Sequence, residues 1–155
     1  MRACPRPGAM SSARRSDAKL DLMSKPHKPS IRLTSITLGA PAPRELAQFY
    51  ANLLDAAVTA SDPPRPGEPE DAGWAQVKTP NLTLNFEFEQ QWQAPCWPAQ
   101  SERQIATQHL DIRVDELVDA VEWAISCGAR SAEVQPQEAV RVMFDPAGHP
   151  FCLFR

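Results

Sequence analysis

Three stretches of alternating polar and apolar residues carry the side chains best suited to chemistry in this sequence. Successive side chains of a β-strand point to opposite faces, so alternation gathers the polar members of each stretch on one face of a sheet. Those members are Ser35, Thr37, Thr83, Asn85, Glu87, His109, Asp111 and Arg113. A sheet face this rich in polar groups is either solvated or lines a binding site. In the second case these residues are candidate ligand-binding groups.

His109 is the candidate for proton transfer, because an imidazole gains and loses a proton near neutral pH. Glu87, on the same predicted face, could orient this imidazole or share its proton, which makes the two a candidate catalytic pair. The alternative is structural, with His109 hydrogen-bonded to Asp111, Glu87 or a water in the cavity. Arg113 is also open to two interpretations, since it could bind an anionic ligand or form a salt bridge with Asp111 or Glu87.

Aromatic residues beside these stretches are candidates for the wall of a cavity. Trp74 begins a predicted strand, and Trp97 lies in a proline-rich connection over residues 89–103. Each could stack on a planar or apolar ligand at the cavity mouth. The alternative is that they seal the core or a dimer interface.

A strand–helix–strand unit that occurs twice would position these residues. In the first unit the periodicity predicts strands over 35–38, 57–60, 74–79 and 82–88, a helix over 44–54 and a proline-rich loop over 61–72. The apolar stripe of the helix consists of Leu46, Phe49, Tyr50, Leu53 and Leu54. Pro41 and Pro43 lead into this helix, because proline is tolerated in a first helical turn and not further in.

The second unit repeats the order of the first. Strands are predicted over 109–114, 131–134, 140–144 and 151–154, and a helix from Asp115 to Cys127 ends at Gly128. The buried stripe of this helix is predicted to be Leu117, Ala120, Val121, Ala124 and Ile125. In the turn before the last strand, His149 is expected to face the solvent, and Asp145 is expected to shape the turn rather than to catalyse.

Composition excludes several classes of function. The 155 residues, 43% apolar with a net charge of −3, can bury one core and offer no basic field to nucleic acid or a membrane surface. Residues 1–30 are predicted to be a disordered basic tail before a domain at 31–155, with translation starting at Met1, Met10 or Met23. The four cysteines lack CxxC spacing and no signal peptide precedes them, so we expect free thiols and a cytoplasmic location.

The chain resembles the vicinal oxygen chelate superfamily of glyoxalases, bleomycin-resistance proteins and dioxygenases, and above all its glyoxalase-like domain proteins. The resemblance rests on Phe49-Tyr50-x-x-Leu53-Leu54, Trp97-Pro98, His109-Leu110-Asp111-x-x-Val114-Asp115-x-Leu117 and Asp145-Pro146-Ala147-Gly148-His149-Pro150-Phe151-Cys152-Leu153. It covers residues 31–155. It implies an α+β fold in which two paired βαβββ modules form a curved mixed sheet around a concave cavity, and it implies a homodimer.

The resemblance also implies where a metal would be bound. Metal-dependent members of the family take ligands from the first and fourth strands of each module, and those positions fall here at Ser35, Glu87, His109 and Cys152. His109 and Glu87 are acceptable ligands, Cys152 could bind zinc as a thiolate, and Ser35 is a poor ligand. Cys152 could equally be an ordinary small core residue.

Two functions follow as expectations. The first is a small-molecule binding protein of the bleomycin-resistance type, which needs a cavity and no cofactor. The second is a lyase, isomerase or dioxygenase of the glyoxalase type, which uses His109 and Glu87 with a divalent metal ion or for metal-free proton transfer. The incomplete set of metal ligands favours the binding protein, or an enzyme that departs from metal chelation.

Overall fold

The computed structural model describes residues 29–155, of which residues 33–155 form one compact unit. The predicted basic tail lies almost entirely outside the described residues. Within 29–155, no helix combines the length and the apolar character needed to cross a bilayer.

The first module follows the predicted order of elements. It contains β1 (Ser35–Ala40), α1 (Pro43–Leu53), β2 (Val58–Asp62), β3 (Trp74–Lys78) and β4 (Thr83–Phe88). The strands form a four-stranded sheet in the order β1-β4-β3-β2, in which β1 runs parallel to β4 and the other pairs are antiparallel. Helix α1 begins at Pro43, where the missing N–H of proline costs no intrahelical hydrogen bond.

The second module repeats this topology. It contains β5 (Leu110–Arg113), α2 (Leu117–Cys127), β6 (Arg130–Ser131), β7 (Val140–Phe144) and β8 (Pro150–Phe154), with the strand order β5-β8-β7-β6. Gly128 ends α2 in the left-handed conformation with φ of 114°, which a residue with a side chain rarely adopts. The predicted α+β fold of two βαβββ modules is therefore confirmed.

An aromatic cluster joins the two modules. Tyr50 of α1 stacks on Phe86 of β4 with ring centroids 5.5 Å apart, and it meets Phe151 of β8 edge-on at 6.3 Å. Phe49 completes the cluster. The apolar side of each sheet faces this core, as the alternation predicts, with Leu84, Phe86, Phe151 and Leu153 fully or almost fully buried. The polar side of each sheet is left facing away from the core.

Two predictions about the second module are wrong. Ile125 was placed on the buried stripe of α2, yet it is 50% exposed, and Ala124 takes the buried position beside it. The strand predicted over 131–134 contains only Arg130–Ser131. It ends early because the side chain of Gln135, in place of a strand backbone, binds the backbone groups of Val142 in β7. Its Oε1 accepts from the N–H of Val142, and its Nε2 donates to the carbonyl of Val142.

The prediction that His149 faces the solvent is also wrong. Its side chain is only 17% exposed, because Nδ1 lies 2.8 Å from Oδ2 of Asp145 and Nε2 lies 3.0 Å from the carbonyl of Gly39 in β1. Asp145 is fully buried and does shape the turn, since its Oδ1 accepts from the N–H groups of Gly148 and His149. Its Oδ2 also accepts from the hydroxyl of Tyr50 at 3.0 Å. The turn of the second module is thus bonded to both α1 and β1 of the first.

Replacing Tyr50 by phenylalanine tests this bond between modules. Burial of the phenol, and then the charge of Asp145 and the hydrogen bond to it, raise the pKa of Tyr50 well above the ordinary 10.0. A pKa raised by folding gives stability that is complete below the unfolded value and is lost as pH rises above it. We expect Tyr50→Phe to lower the free energy of unfolding at neutral pH by about 2 kcal/mol, and to weaken the loss of stability above pH ~10.

Denaturant unfolding followed by tryptophan fluorescence from neutral to alkaline pH measures both effects. Tyr50 is the only tyrosine of the chain, so tyrosinate absorbance reports its ionisation directly. Ser126→Ala, at an exposed position of α2, is the control and is expected to change stability by less than about 0.5 kcal/mol. Identical pH dependence in Tyr50→Phe and the wild type would refute this account.

Candidate functional site

The polar face of the first sheet is built by cross-strand neighbours. The register pairs Ser35 with Thr83 and Thr37 with Asn85. Asn85 also lies beside Gln76 of β3, whose Nε2 donates to Oδ1 of Asn85 at 2.9 Å. The middle of this face is therefore a row of polar side chains, some of which already form hydrogen bonds with one another. Its outer end, where β3 begins, carries the charged and aromatic groups.

A cavity of about 550 Å³ opens at that outer end, and we call it the tryptophan cavity. Its lining consists of Asp62, Pro63, Arg65, Glu68, Gly73, Trp74, Glu87 and Phe88. Gly73 has φ of 104°, and a Cβ atom there would collide with the carbonyl oxygen of Asp62. Glycine at this position therefore allows the end of the loop between β2 and β3 to pass close to the backbone of Asp62. The same loop is held from α1 by Arg44, whose guanidinium donates to the carbonyls of Ala72 and Glu70.

A second and smaller cavity of about 190 Å³ lies between β1 and β5, and we call it the inter-module cavity. It is lined by Ile36, Thr37, Leu38, Gly39, Tyr50, Gln108, His109, Leu110, His149 and Pro150. The two strands are edges of separate sheets and do not pair with each other, so the predicted curved sheet is divided here. His109 thus lies at the join between the modules.

His109 belongs to a cluster with Asp111 and Cys152 on the polar face of the second sheet. The Nε2 atom of His109 is 3.2 Å from Oδ1 of Asp111. Asp111 and Cys152 are register partners on β5 and β8, and the three residues offer a nitrogen, an oxygen and a sulfur that all lie within 4.8 Å of one another. The side chains of His109 and Asp111 are 44% and 60% exposed, so solvent reaches the cluster.

The thiol of Cys152 is held in its protonated form. Partial burial, then the negative charge of Asp111 and a hydrogen bond to it, raise the pKa of Cys152. A thiol with a raised pKa is a weak nucleophile, because the thiolate is the reactive species. Nucleophilic catalysis by Cys152 is therefore disfavoured, and a metal would have to displace the proton of this thiol in order to bind.

The structure separates several of the predicted site residues. Glu87 lines the tryptophan cavity and His109 lines the inter-module cavity, and the ion-pair partner of His109 is Asp111. Among residues 29–155 the ion pairs are His109–Asp111, His149–Asp145 and Arg155–Glu116, so the alternative salt bridge of Arg113 is not formed there. Trp74 lines a cavity. Trp97 lines neither of the two and is 38% exposed.

Two features of the site were missed by the sequence reasoning. One is the bonding of Tyr50 and His149 to the buried Asp145, for which the close spacing of an acid and a histidine within one glycine-containing turn was a signal. The other is the contact of Trp92 with the turn: its ring centroid lies 4.4 Å from that of His149, and its Nε1 donates to the carbonyl of Ala147. No local pattern points to that contact, because Trp92 and His149 are far apart in sequence.

Comparisons with known proteins agree on the fold. The family model described as "Glyoxalase-like domain" matches residues 35–154. A glyoxalase family protein from Enterococcus faecalis is 18% identical with a TM-score of 0.58, over 80% of this chain and 97% of that one. A variant of the fosfomycin resistance protein FosX from Listeria monocytogenes, in complex with Mn(II) and 1S,2S-dihydroxypropylphosphonic acid, is 15% identical with a TM-score of 0.60, over 79% and 90%. No curated protein matches the sequence.

The acid–thiol contact predicts how fast Cys152 reacts with an alkylating agent. Replacing Asp111 by asparagine removes the negative charge and the charged acceptor, so the pKa of Cys152 falls towards its ordinary value while the effect of burial remains. We expect the pH at which the alkylation rate of Cys152 is half-maximal to be lower in Asp111→Asn than in the wild type. The alkylation rate near neutral pH should therefore rise. Mass spectrometry of the peptide that contains Cys152 follows this cysteine separately from the others.

The control is Glu116→Gln, which removes an exposed carboxylate elsewhere in the second module. It should leave the pH profile of Cys152 alkylation unchanged. If the profiles of Asp111→Asn and the wild type coincide, Asp111 does not govern this thiol.

Proposed function

Because the chain belongs to the family of glyoxalase-like domain proteins, we propose that it binds a small organic molecule on the polar face of its sheets, with the tryptophan cavity as the main site. The observation that carries the proposal is the cavity itself, since a volume of about 550 Å³ is within the usual range for small-molecule sites. Trp74 provides an aromatic wall, and carboxylates provide the polar contacts. The inter-module cavity is smaller, at about 190 Å³, and would hold only a small group.

Binding in the tryptophan cavity requires no metal ion. The positions that the family resemblance assigns to metal ligands are dispersed here: Ser35 pairs with Thr83, and Glu87 lies in a different cavity from His109. Glu87 is therefore available to contact a ligand directly. In this proposal Glu87 and Trp74 bind the ligand. His109 lines the inter-module cavity and does not belong to this binding site.

A second candidate function uses a metal, and the cluster of His109, Asp111 and Cys152 favours it. One imidazole, one carboxylate and one thiol fit a catalytic zinc site, which has three protein ligands and an open position. A sulfur ligand favours zinc over the Mn(II) that accompanies FosX in the structure cited above. A zinc ion bound there would supply a Lewis acid for lyase or isomerase chemistry, whereas dioxygenase chemistry would need a redox-active metal in its place. The protein would supply Asp111 in place of the predicted ligand Glu87.

Replacing Trp74 by leucine tests the binding proposal. We expect compounds that raise the melting temperature of the wild type, found by screening a small-molecule library, to bind Trp74→Leu at least about tenfold more weakly because the aromatic wall is lost. Trp97→Leu is the matched control, since Trp97 lines neither cavity, and it should retain wild-type affinity. Compounds that bind both variants equally well would place the site elsewhere.

The metal candidate is tested by zinc and manganese titration of the purified protein, without a histidine tag, by calorimetry. We expect zinc to bind more tightly than manganese, and both His109→Ala and Cys152→Ser to weaken zinc binding about 10-fold to 100-fold. Glu87→Gln should leave it unchanged. Zinc affinity should rise with pH, because the raised pKa of Cys152 makes proton loss part of binding. Equal loss of affinity in Glu87→Gln would restore the ligand set implied by the family resemblance.

The homodimer and the cytoplasmic location stay predictions. Helix α2 leaves Val118 71% exposed beside the exposed Ile125, which is apolar surface that a second copy could cover. Trp123 on the same helix is 53% exposed, and its Nε1 donates to the carbonyl of Leu53 at the end of α1. Light scattering on the purified protein gives the mass in solution and decides the oligomeric state.

A further inference from the structure

We propose that the ligand of the tryptophan cavity is an organic cation, an amine or a quaternary ammonium compound. This inference rests on the proposed binding function and specifies the chemical class of ligand for the same site. It is carried by three features of the cavity: the sign of its charge, the placement of its carboxylates around Trp74, and the character of the surface that adjoins it.

The charge of the cavity is negative. Its lining holds the carboxylates of Asp62, Glu68 and Glu87 and a single cationic side chain, Arg65. None of these four residues belongs to any of the three ion pairs found in the described part of the chain. Glu68 accepts a hydrogen bond from the backbone N–H of Arg65, which satisfies one oxygen without neutralising the charge. The surplus of negative charge therefore remains available to a ligand.

The strand register places two of these carboxylates on either side of the indole. Trp74 of β3 is the cross-strand partner of Asp62 on β2 and of Glu87 on β4. Directly opposed residues of neighbouring strands have Cβ atoms roughly 5 Å apart and point to the same face. A cation within about 6 Å of the indole, the range in which a tryptophan face attracts positive charge, would also lie close to both carboxylates. Aromatic face and negative charge thus act on the same position.

The surroundings strengthen this preference for a cation. The next cross-strand neighbour of Glu87, on β1, is Gly39, which has no side chain to contribute. A wide groove shares Glu68 and Phe88 with the cavity and adds Asp71, Glu89 and Trp92 to its lining. Carboxylates and aromatic rings therefore continue past the cavity mouth, where a longer cation could extend. The phosphonic acid in the cited FosX complex has the opposite charge, and the carboxylates here would repel it.

Choline and 3,3-dimethyl-1-butanol form a matched pair for the test, since they share shape and differ in charge. Propylphosphonate serves as the anion. Binding to the full chain is measured by calorimetry or ligand-observed NMR, at low and at high salt. We expect choline to bind at least about tenfold more tightly than the neutral alcohol, and to weaken as salt screens the carboxylates.

Substitutions of lining residues test whether the preference for a cation arises in the tryptophan cavity. Glu87→Gln and Asp62→Asn keep the shape of the side chains and remove one charge each, and each should weaken choline binding about threefold to tenfold while leaving the alcohol unaffected. Trp74→Leu should weaken choline binding as well. Glu116→Gln is the control, because it removes an exposed carboxylate from the other module, and it should have no effect.

Each alternative outcome overturns the proposal in a recognisable way. Equal affinity for choline and the alcohol, or preference for the phosphonate, refutes the cationic ligand. Failure of all three probes to bind refutes it too. In each case, Trp74-dependent binding of compounds from the library screen would still support the tryptophan cavity as a small-molecule site. Loss of that dependence would refute the proposed function itself.

Discussion

The arrangement of both modules depends on one buried carboxylate, that of Asp145. It is the one charged side chain among residues 29–155 that is fully buried, and burying an unpaired carboxylate would cost several kcal/mol. That cost is offset because donors surround both oxygens: two backbone N–H groups of its own turn on Oδ1, and the Tyr50 hydroxyl and the His149 ring on Oδ2. Since Tyr50 comes from the first module, the carboxylate can be buried only where the modules meet.

His149 extends this bonding to the edge of the first sheet. Its Nε2 lies 3.0 Å from the carbonyl of Gly39, on β1, while its Nδ1 lies 2.8 Å from Oδ2 of Asp145. A side chain thus occupies a backbone acceptor of an edge strand, which a neighbouring strand could otherwise use. The sheets remain separate, with β1 and β5 facing each other across the inter-module cavity. Trp92, whose ring packs against that of His149 at an interplanar angle of 45°, holds the connection between the modules against the same turn.

The fold could be predicted from the sequence to a greater extent than the site. Alternation assigns each side chain to a face, and the buried Leu84 and Phe86 and the exposed Glu87 follow that assignment. It does not give distances between strands that are far apart in sequence. Glu87 and His109 are therefore on the polar faces as predicted and still lie in different cavities, while Asp111, two residues from His109, is its actual partner.

His149 is a second case in which contacts between residues far apart in sequence decide the outcome. In sequence it is a polar residue in a turn, a position that usually faces water. Its ring is held by the carbonyl of Gly39, 110 residues away along the chain, and by Asp145, whose carboxylate also binds the distant Tyr50. Only the pairing of the two modules creates those partners, and the same pairing brings Tyr50, Phe86 and Phe151 together in the shared aromatic core. Local periodicity could not have predicted it.

The duplicated unit carries different chemistry in its two halves. The polar face of the first sheet ends in an indole between carboxylates, whereas that of the second carries an imidazole, a carboxylate and a protonated thiol. A single metal shared by both modules would need ligands from both faces near one point, and Glu87 and His109 do not meet. In the second module, metal binding would be coupled to proton release. Partial burial and then the charge of Asp111 raise the pKa of Cys152, so the carboxylate that would attract a metal ion also keeps the proton on the thiol that would bind it. The lining of the tryptophan cavity contains no thiol, so a ligand there would not have to displace a thiol proton.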